Sequence, residues 1–263
     1  MTGNDSPMPT DSPGVAGCRT STDRPVSDPS EVLGRVPTGT TIQMELAAAA
    51  RSRGETSSLA SEISALHGSI EAFEIPTVDL ERARRRVAET TGEEERLKER
   101  VAAIRGDVQA RRAVDADPTE SLRDLEDAAA ALSAAQTERI AAEQALERAR
   151  EQAAEARDER ERRLALCDRL ANRRRDARSE LANETYQAFR EALSAVPGGA
   201  RASPGEEPRA YDGPPLAASF AAVRLSAIDG PVTLGSEAMV AFERWGRASP
   251  TEVLGVHVNG PDL

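Results

Sequence analysis

Lysine is almost missing from this chain. Lys98 is the single lysine beside 33 arginines. A phosphate-binding P-loop requires a glycine-rich turn that ends in a lysine. Lys98 instead follows Leu97 inside a predicted helix, with no glycine-rich turn before it. This absence excludes an ATPase of the P-loop class, including the ATPases that carry long coiled coils.

Cysteine, histidine and aromatic residues are scarce as well. The two cysteines, Cys18 and Cys167, lie far apart and form no ligand motif, which argues against a disulfide framework or a zinc site. The two histidines, His67 and His257, belong to different segments. Aromatic residues make up 3 % of the chain, so a large compact core is not expected. We therefore expect no catalytic residue, no metal and no cofactor, and we expect that the protein is not an enzyme.

Long apolar runs are absent too. No stretch approaches the 18 or so apolar residues of a membrane-spanning helix, and the first residues lack the basic-then-apolar pattern of a signal peptide. We expect a cytoplasmic protein without membrane contact. The net charge is −11, and the acidic residues are spread along the chain. Such a surface suits a salt-adapted cell, and it also suits an acidic patch for a basic partner.

What the chain does contain is a helix-forming run over residues 118–196. It has no glycine, and no proline after Pro118. Alanine, glutamate, arginine, leucine and glutamine dominate it, and these residues favour helix. Asp117 and Glu120 form a capping-box pattern at its start, and Pro197 ends it. At 1.5 Å per residue the run predicts a single helix of roughly 115 Å. A helix of this length normally needs a partner helix.

The rest of the chain supplies that partner. Proline and glycine punctuation predicts three shorter helices, near residues 40–53, 58–73 and 78–114. The predicted architecture is mainly α, with these segments in chain order: a disordered or weakly ordered tail over 1–39, a long antiparallel coiled-coil hairpin over 40–196 that turns at 115–118, a linker over 197–215, and a small C-terminal α-β-α-β lobe over 216–263. A weak strand is also predicted over 31–36.

A seven-residue repeat sets the register of the hairpin. Residues 78–114 carry two heptad series, which begin at Leu80 and Ala83 and end at Val108 and Arg111. Folding the long helix back about the turn predicts these pairs: Val108 with Leu125, Ile104 with Ala129, Val101 with Leu132, Glu94 with Arg139, Val87 with Leu146, Ile70 with Leu164, Leu66 with Cys167 and Ile63 with Leu170. Leu181 is expected within reach of the first helix.

The last fifty residues differ in character. Their pattern predicts a helix over 216–228, a strand over 231–234, a helix over 237–247 and a strand over 253–258. A strand, a helix and a strand in succession predict two parallel strands joined by a crossover helix.

One basic segment is a candidate contact surface. Residues 157–178 hold nine arginines against five acidic residues. The candidate residues are Arg169, Arg173, Arg174, Arg175 and Arg178. They fit contact with a phosphate backbone or a partner protein, but the interleaved acids and the absence of aromatic residues between them favour a solvated helix face. The same alternatives apply to Arg82, Arg84, Arg85 and Arg86. The surface from Arg157 to Arg190 is the expected working surface.

Four stretches, residues 46–55, 80–90, 141–154 and 163–178, resemble a family of uncharacterised haloarchaeal coiled-coil proteins, a domain of unknown function. The resemblance covers roughly residues 40–258. It implies a helical hairpin with a short α/β tail, and no activity. The first functional hypothesis is therefore a non-enzymatic scaffold or interaction protein with protein partners, which could also form homo-oligomers. The alternative is a DNA-associated accessory factor that contacts nucleic acid through arginine.

Overall fold

The computed structural model describes residues 28–260. Within them the chain is mainly helical, with a small sheet of three strands. The helices are α1 (Pro29–Leu33), α2 (Ile42–Ser52), α3 (Ala60–Glu71), α4 (Leu80–Ala113), α5 (Thr119–Leu193), α6 (Pro215–Leu225), α7 (Ser236–Trp245) and α8 (Pro250–Leu254). The strands are β1 (Arg35–Val36), β2 (Val232–Leu234) and β3 (Val258–Asn259). The predicted long helix is confirmed as α5, and the three shorter ones as α2, α3 and α4.

The chain divides into two units. The smaller unit is Phe73–Arg163, and the larger unit joins Met1–Ala72 to Leu164–Leu263. The smaller unit contains α4 and the first part of α5, while the other elements and the end of α5 belong to the larger unit.

The sheet of the larger unit is parallel, with β2 in the middle. Val36 of β1 pairs with Leu234, and Val232 pairs with Val258 of β3. The predicted parallel pair joined by a helix is confirmed by β2 and β3, with α7 between them in sequence. The third strand, β1, comes from a region about 200 residues earlier in the chain.

The weakly ordered tail was predicted too long. Residues 29–36 form α1 and β1, whose Val32, Leu33 and Val36 are buried. A short segment with three large apolar residues forms no core alone, but it gains one when its backbone pairs with β2. The weak strand predicted over 31–36 shrinks to two residues, because Asp28 caps the start of α1 through its bond from the Ser30 amide. The rest of the predicted tail, residues 1–27, lies outside the described residues.

Two further predictions in the C-terminal region were wrong. The strand predicted over 253–258 begins only at Val258, because Ser249 and Glu252 form a capping box that starts α8. The predicted linker over 197–215 is folded structure. It contains two short 3₁₀ helices, and Ser203 and Asp212 form an isolated antiparallel bridge. Tyr211 from this segment contacts Phe189 edge to face, with ring centroids 5.7 Å apart.

The core of the larger unit is built on small side chains. Four consecutive alanines of α2, residues 47–50, are fully buried, and α2 packs against α1 and α6. Alanine allows helices to approach closely, so a chain with few aromatics still fills its interior. Phe220 of α6 and Phe242 of α7 form the central aromatic contact, with centroids 4.8 Å apart.

A second apolar cluster joins α3 to α5. Leu66 and Ile70 are buried together with Cys167 and Leu170, as the extended register predicts for these faces. Leu164 does not take part, because its side chain is 57 % exposed. The predicted proximity of the first helix to Leu181 is confirmed by its packing against Ala47 and Ala50.

The smaller unit follows the heptad series closely. Within α4 the buried and half-buried positions are those of the two predicted series, and every other residue from 80 to 111 is exposed. On α5 the matching positions recur at alternating spacings of four and three, from Ser121 to Ala156. The predicted partner of Ile104 was one residue off, since Ala128 is buried and Ala129 is exposed.

Polar contacts also join α4 to α5, and one of them matches the predicted register. Ser121 Oγ donates to Asp107 Oδ2 at 2.5 Å. Arg139 Nε lies 2.6 Å from Glu94 Oε2, which confirms the predicted Glu94–Arg139 pair. Arg86 and Glu138 form a third contact, at 3.5 Å. From the Asp107–Ser121 contact to the Glu94–Arg139 contact the residue number falls on α4 and rises on α5, whereas Arg86 contacts Glu138, which precedes Arg139.

Candidate functional site

Two of the five candidate arginines converge on one carboxylate. Arg169 Nη2 donates to Glu62 Oε1 at 2.7 Å, and Arg173 Nε lies 3.0 Å from Glu62 Oε2. The hydrogen bonds from Arg169 and then Arg173 lower the pKa of Glu62. Glu62 belongs to the first turn of α3, whose apolar face packs on α5, so its position follows from the fold. Glu62 therefore offsets part of the positive charge of Arg169 and Arg173.

Further neighbours on α5 use more of these groups. Arg173 Nη1 also donates to Asp176 Oδ2 at 3.2 Å, and Arg175 Nη1 donates to Asn172 Oδ1 at 3.0 Å. For Arg169, Arg173 and Arg175, these contacts favour the interpretation of a solvated helix face.

The other two candidates lie on the half-buried side of α5. Arg174 and Arg178 are four residues apart, so they occupy adjacent turns of one face. Leu181, one turn after Arg178, packs against Ala50 of α2. The end of α2 and this part of α5 are therefore in direct contact.

Arg51 lies next to that contact, and the sequence pattern did not single it out as a candidate. Arg51 directly follows Ala50 and is half-buried, with its Nε atom shielded from solvent and without a hydrogen-bond partner. Burial lowers the pKa of Arg51, and the positive charge of Arg178 lowers it further. The sequence contains one indication that Arg51 is half-buried, because Arg51 directly follows four alanines. A charged residue at the end of an apolar run lies where the helix packs against its neighbours.

Two carboxylates that follow Arg51 and Arg178 within four residues in sequence form contacts of their own. Glu55 forms an ion pair with Arg53 at 2.7 Å. Glu180 accepts from the Ser58 amide at 3.1 Å and from the Ser57 hydroxyl, and these bonds lower its pKa. In residues 28–260, no carboxylate forms an ion pair with Arg51.

A buried acid lies elsewhere on α2. Glu45 is 3 % exposed, and its Oε1 accepts from Ser219 Oγ of α6 at 2.6 Å and from the Thr38 hydroxyl. Burial raises the pKa of Glu45, although the bonds from Ser219 and Thr38 oppose that shift. Burial also raises the pKa of Tyr211 to about 12, to which Tyr186 and Glu45 contribute. Glu45 is buried in the interior and Tyr211 is half-buried against the main apolar core, so both groups contribute to the packing of the larger unit.

The smaller unit carries a basic groove on α4. Arg82, Arg85, Arg86 and Glu89 line a volume of roughly 470 Å³. Arg86 pairs with Glu138 across the helices, while Arg84 points away to Glu81 at 2.6 Å. Across residues 28–260, neither Arg82 nor Arg85 forms an ion pair. Four arginines were predicted here as one group. In the structure, two of them form no ion pair within residues 28–260, one pairs with a glutamate of α5, and one pairs with a glutamate of α4.

Neither a metal site nor a membrane-spanning helix is found in the part of the chain that the structure describes. Between residues 28 and 260, no group of three or more histidine, cysteine, aspartate or glutamate side chains is arranged to hold a metal ion. Over the same residues, no helix combines the length and the apolar character needed to cross a bilayer.

Comparison with known proteins gives one match. The model of the Family of unknown function (DUF7856) matches residues 16–258. No curated protein and no solved structure shows significant similarity to the chain.

Proposed function

The chain belongs to the Family of unknown function (DUF7856), and from its geometry we propose that it is a non-enzymatic coiled-coil scaffold that binds a protein partner. The observation that carries this proposal is the heptad pattern of α4, in which every seam position is at least half-buried and every other position is exposed. In such a pattern the apolar face of the helix packs against one neighbouring helix, and a long polar face remains exposed to solvent.

The proposal takes residues 80–156 as an antiparallel hairpin. The contacts between Asp107 and Ser121 and between Glu94 and Arg139 support that direction, because the residue number falls on α4 as it rises on α5. The five residues between α4 and α5 support it too, because a short connection joins antiparallel neighbours. Asp115, with a φ of 54°, provides the left-handed residue that a tight turn requires.

Disulfide trapping tests the hairpin. In a background with Cys18 and Cys167 replaced by serine and alanine, cysteines at Val101 and Leu132 are expected to crosslink within one chain. The matched control joins Val101 to Ile140, a residue 49 % exposed and off the seam, and is expected to remain reduced. Crosslinks that form only between chains would replace the hairpin with a parallel dimer.

The partner proposal needs a separate experiment. A photo-crosslinking residue at Arg105, on the exposed face of α4, is expected to trap one specific protein in cells, whereas the same residue at buried Val108 is not. Turnover of a metabolite by the purified chain would instead favour an enzyme. The proposal includes a cytoplasmic location, which cell fractionation tests, and a salt-adapted host, which the retention of folded structure in molar KCl tests.

The basic groove favours a second candidate function, contact with nucleic acid. Arg82 and Arg85 are exposed and free of ion pairs in the described region, so their charges are available to phosphates. In a salt-titrated binding assay with duplex DNA, R82Q/R85Q is expected to weaken binding and lower the salt slope by about two. Arg84→Gln, which removes a charge already paired with Glu81, is the control and is expected to change little. Equal losses in both variants would mean a diffuse charge effect.

A further inference from the structure

Two short segments of the smaller unit carry opposite charges in the same order. Residues 81–85, near the start of α4, read Glu-Arg-Ala-Arg-Arg, and residues 123–127, near the start of α5, read Arg-Asp-Leu-Glu-Asp. All the charged side chains in both segments are exposed, while the apolar middle residue of each belongs to the seam. Laid side by side in the same direction, the segments form four pairs of opposite charge: Glu81 with Arg123, Arg82 with Asp124, Arg84 with Glu126, and Arg85 with Asp127.

The two segments do not reach each other within one chain. Ser121, which lies just before segment 123–127, donates to Asp107 of α4 at 2.5 Å. From Arg85 to Asp107, α4 rises by about 33 Å at 1.5 Å per residue. An arginine and a carboxylate side chain together span far less than this distance. A partner for either segment must therefore come from outside the chain.

Most of these charges are available to such a partner. Arg82 and Arg85 form no ion pair among residues 28–260, and over the same residues the four charged side chains of segment 123–127 form none either. Glu81 and Arg84 pair with each other at 2.6 Å on the surface of α4. An exposed pair of this kind contributes little to stability, so it can be exchanged for contacts across an interface.

The shared direction of the charge order determines the kind of assembly. In an antiparallel hairpin α4 and α5 run in opposite directions. A second hairpin that lies beside the first, related to it by a twofold axis, brings α4 of one copy parallel to α5 of the other, and the four opposite pairs form. End-to-end stacking would make these helices antiparallel, which places Glu81 against Asp127 and Arg85 against Arg123. The charge order therefore favours a closed pair over an open filament.

We propose that two copies of the chain form a closed dimer in which segment 81–85 of each copy pairs with segment 123–127 of the other. This dimer rests on the proposed antiparallel hairpin, and it names a second copy of the chain as a partner of the scaffold. Salt screens contacts between exposed charges, so the dimer forms at low ionic strength and dissociates as the salt concentration rises. The contact covers Arg82 and Arg85, so duplex DNA and the second copy compete for them.

Charge reversal in the full chain tests the dimer, with light scattering after size-exclusion chromatography as the measure of mass. The wild type is expected to have the mass of two chains in about 50 mM KCl and of one chain in about 1 M KCl. R82E/R85E and D124R/D127R are each expected to have the mass of one chain in both, because like charges then face each other. An equimolar mixture of the two variants is expected to regain the mass of two chains in low salt, because each contact of the mixed pair again joins opposite charges.

R160E/R162E is the matched control. It changes the net charge as much as R82E/R85E does, at two exposed positions of α5 outside both segments, and it is expected to dimerise as the wild type does. Circular dichroism establishes that each variant is folded. If a double variant does not fold, Arg85→Glu and Asp127→Arg, alone and mixed, take its place.

Several outcomes would overturn the dimer. They are a wild type with the mass of one chain in low salt, a dimer that survives both reversals, a mixture that stays monomeric, and an equal loss in R160E/R162E. A mass that increases beyond two chains with concentration would replace the closed dimer with a filament. Each of these results leaves the disulfide test of the hairpin and the photo-crosslinking test of the partner unaffected, so the two proposals are tested separately.

Discussion

Glu94 of α4 and Arg139 of α5 form an ion pair within the apolar seam of the smaller unit, with Nε and Oε2 2.6 Å apart. Glu94 is 5 % exposed, and Lys98 reaches the same carboxylate at 3.0 Å from the next turn of α4. A seam of valine, leucine and alanine tolerates a buried acid only when its charge is balanced. A polar pair at one seam position also distinguishes one register from its neighbours, because a slip leaves the charge unpaired.

The pair predicts a loss of stability in acid. Its hydrogen bond from Lys98, with the charges of Lys98 and Arg139, lowers the pKa of Glu94 below its ordinary 4.5. The stabilisation is therefore present above pH 4.5 and is lost as the pH falls through the lower folded pKa. Urea unfolding of wild type and Glu94→Gln at several pH values should show that this part of the acid slope is missing in the variant. Parallel slopes in the two proteins would contradict the assigned role.

Glu45 predicts the opposite dependence. Burial raises its pKa, so the folded state holds its proton more firmly than the unfolded state does. Its contribution to stability is fully present below the ordinary value of 4.5 and is lost as the pH rises through the folded pKa. Glu45→Gln keeps an oxygen for Ser219 and Thr38 without the charge, so its stability relative to wild type should increase with pH above 4.5. Denaturant unfolding from pH 4 to 8 measures this difference. A constant offset would show that Glu45 ionises as freely in the folded protein as in the unfolded chain.

Removing the charge of Glu62 is expected to strengthen binding to duplex DNA. Glu62 engages Arg169 and Arg173, which would otherwise present two charges on α5. Glu62→Gln should release Arg169, and Arg173 in part because Arg173 also contacts Asp176. Binding to duplex DNA should therefore strengthen, with the salt slope steeper by about one. Fluorescence anisotropy across a salt series gives that slope. Glu71→Gln, on the same helix and next to His67, is the control for removing one negative charge. An equal gain in both variants would point to net charge alone.

Two valines of the larger unit provide a matched test of the core. Val223 is fully buried on α6, and Val240 is 40 % exposed on α7. Val223→Ala should lower the free energy of unfolding by about 2 kcal/mol, because two buried methyl groups are lost and a cavity is left behind. Val240→Ala should change it by less than about 0.5 kcal/mol. Chemical denaturation of both variants measures the contrast. Similar losses would mean that α6 does not form the centre of the core.

Much of the helical structure follows from short-range features of the chain. Caps, proline and glycine punctuation and helix-forming composition define α2 to α5 within a few residues. The seven-residue repeat also gives the register, since Glu94 meets Arg139 as the turn requires. Both are properties of neighbouring residues, and a short turn transmits them to the adjacent helix. The prediction of Ala129 as a seam residue was wrong by one position. In a helix that turns 100° per residue, an error of one position is enough to move a side chain off the seam.

The sequence by itself therefore determined helices α2 to α7, the seam and the parallel pairing of β2 with β3, whereas it did not predict α1 or α8. Only the tertiary structure decided where β1 pairs, why Glu45 is buried, and that the charge of Arg178 acts on Arg51. These features join residues more than 120 positions apart. Local hydrogen bonding and propensity carry no information about such contacts, because they form only when α2, α5 and α6 pack. A helix is stabilised mainly by residues that are close to it in sequence. The pairing of a strand edge, the burial of an acid and the proximity of two like charges depend instead on which distant residues the fold places beside them.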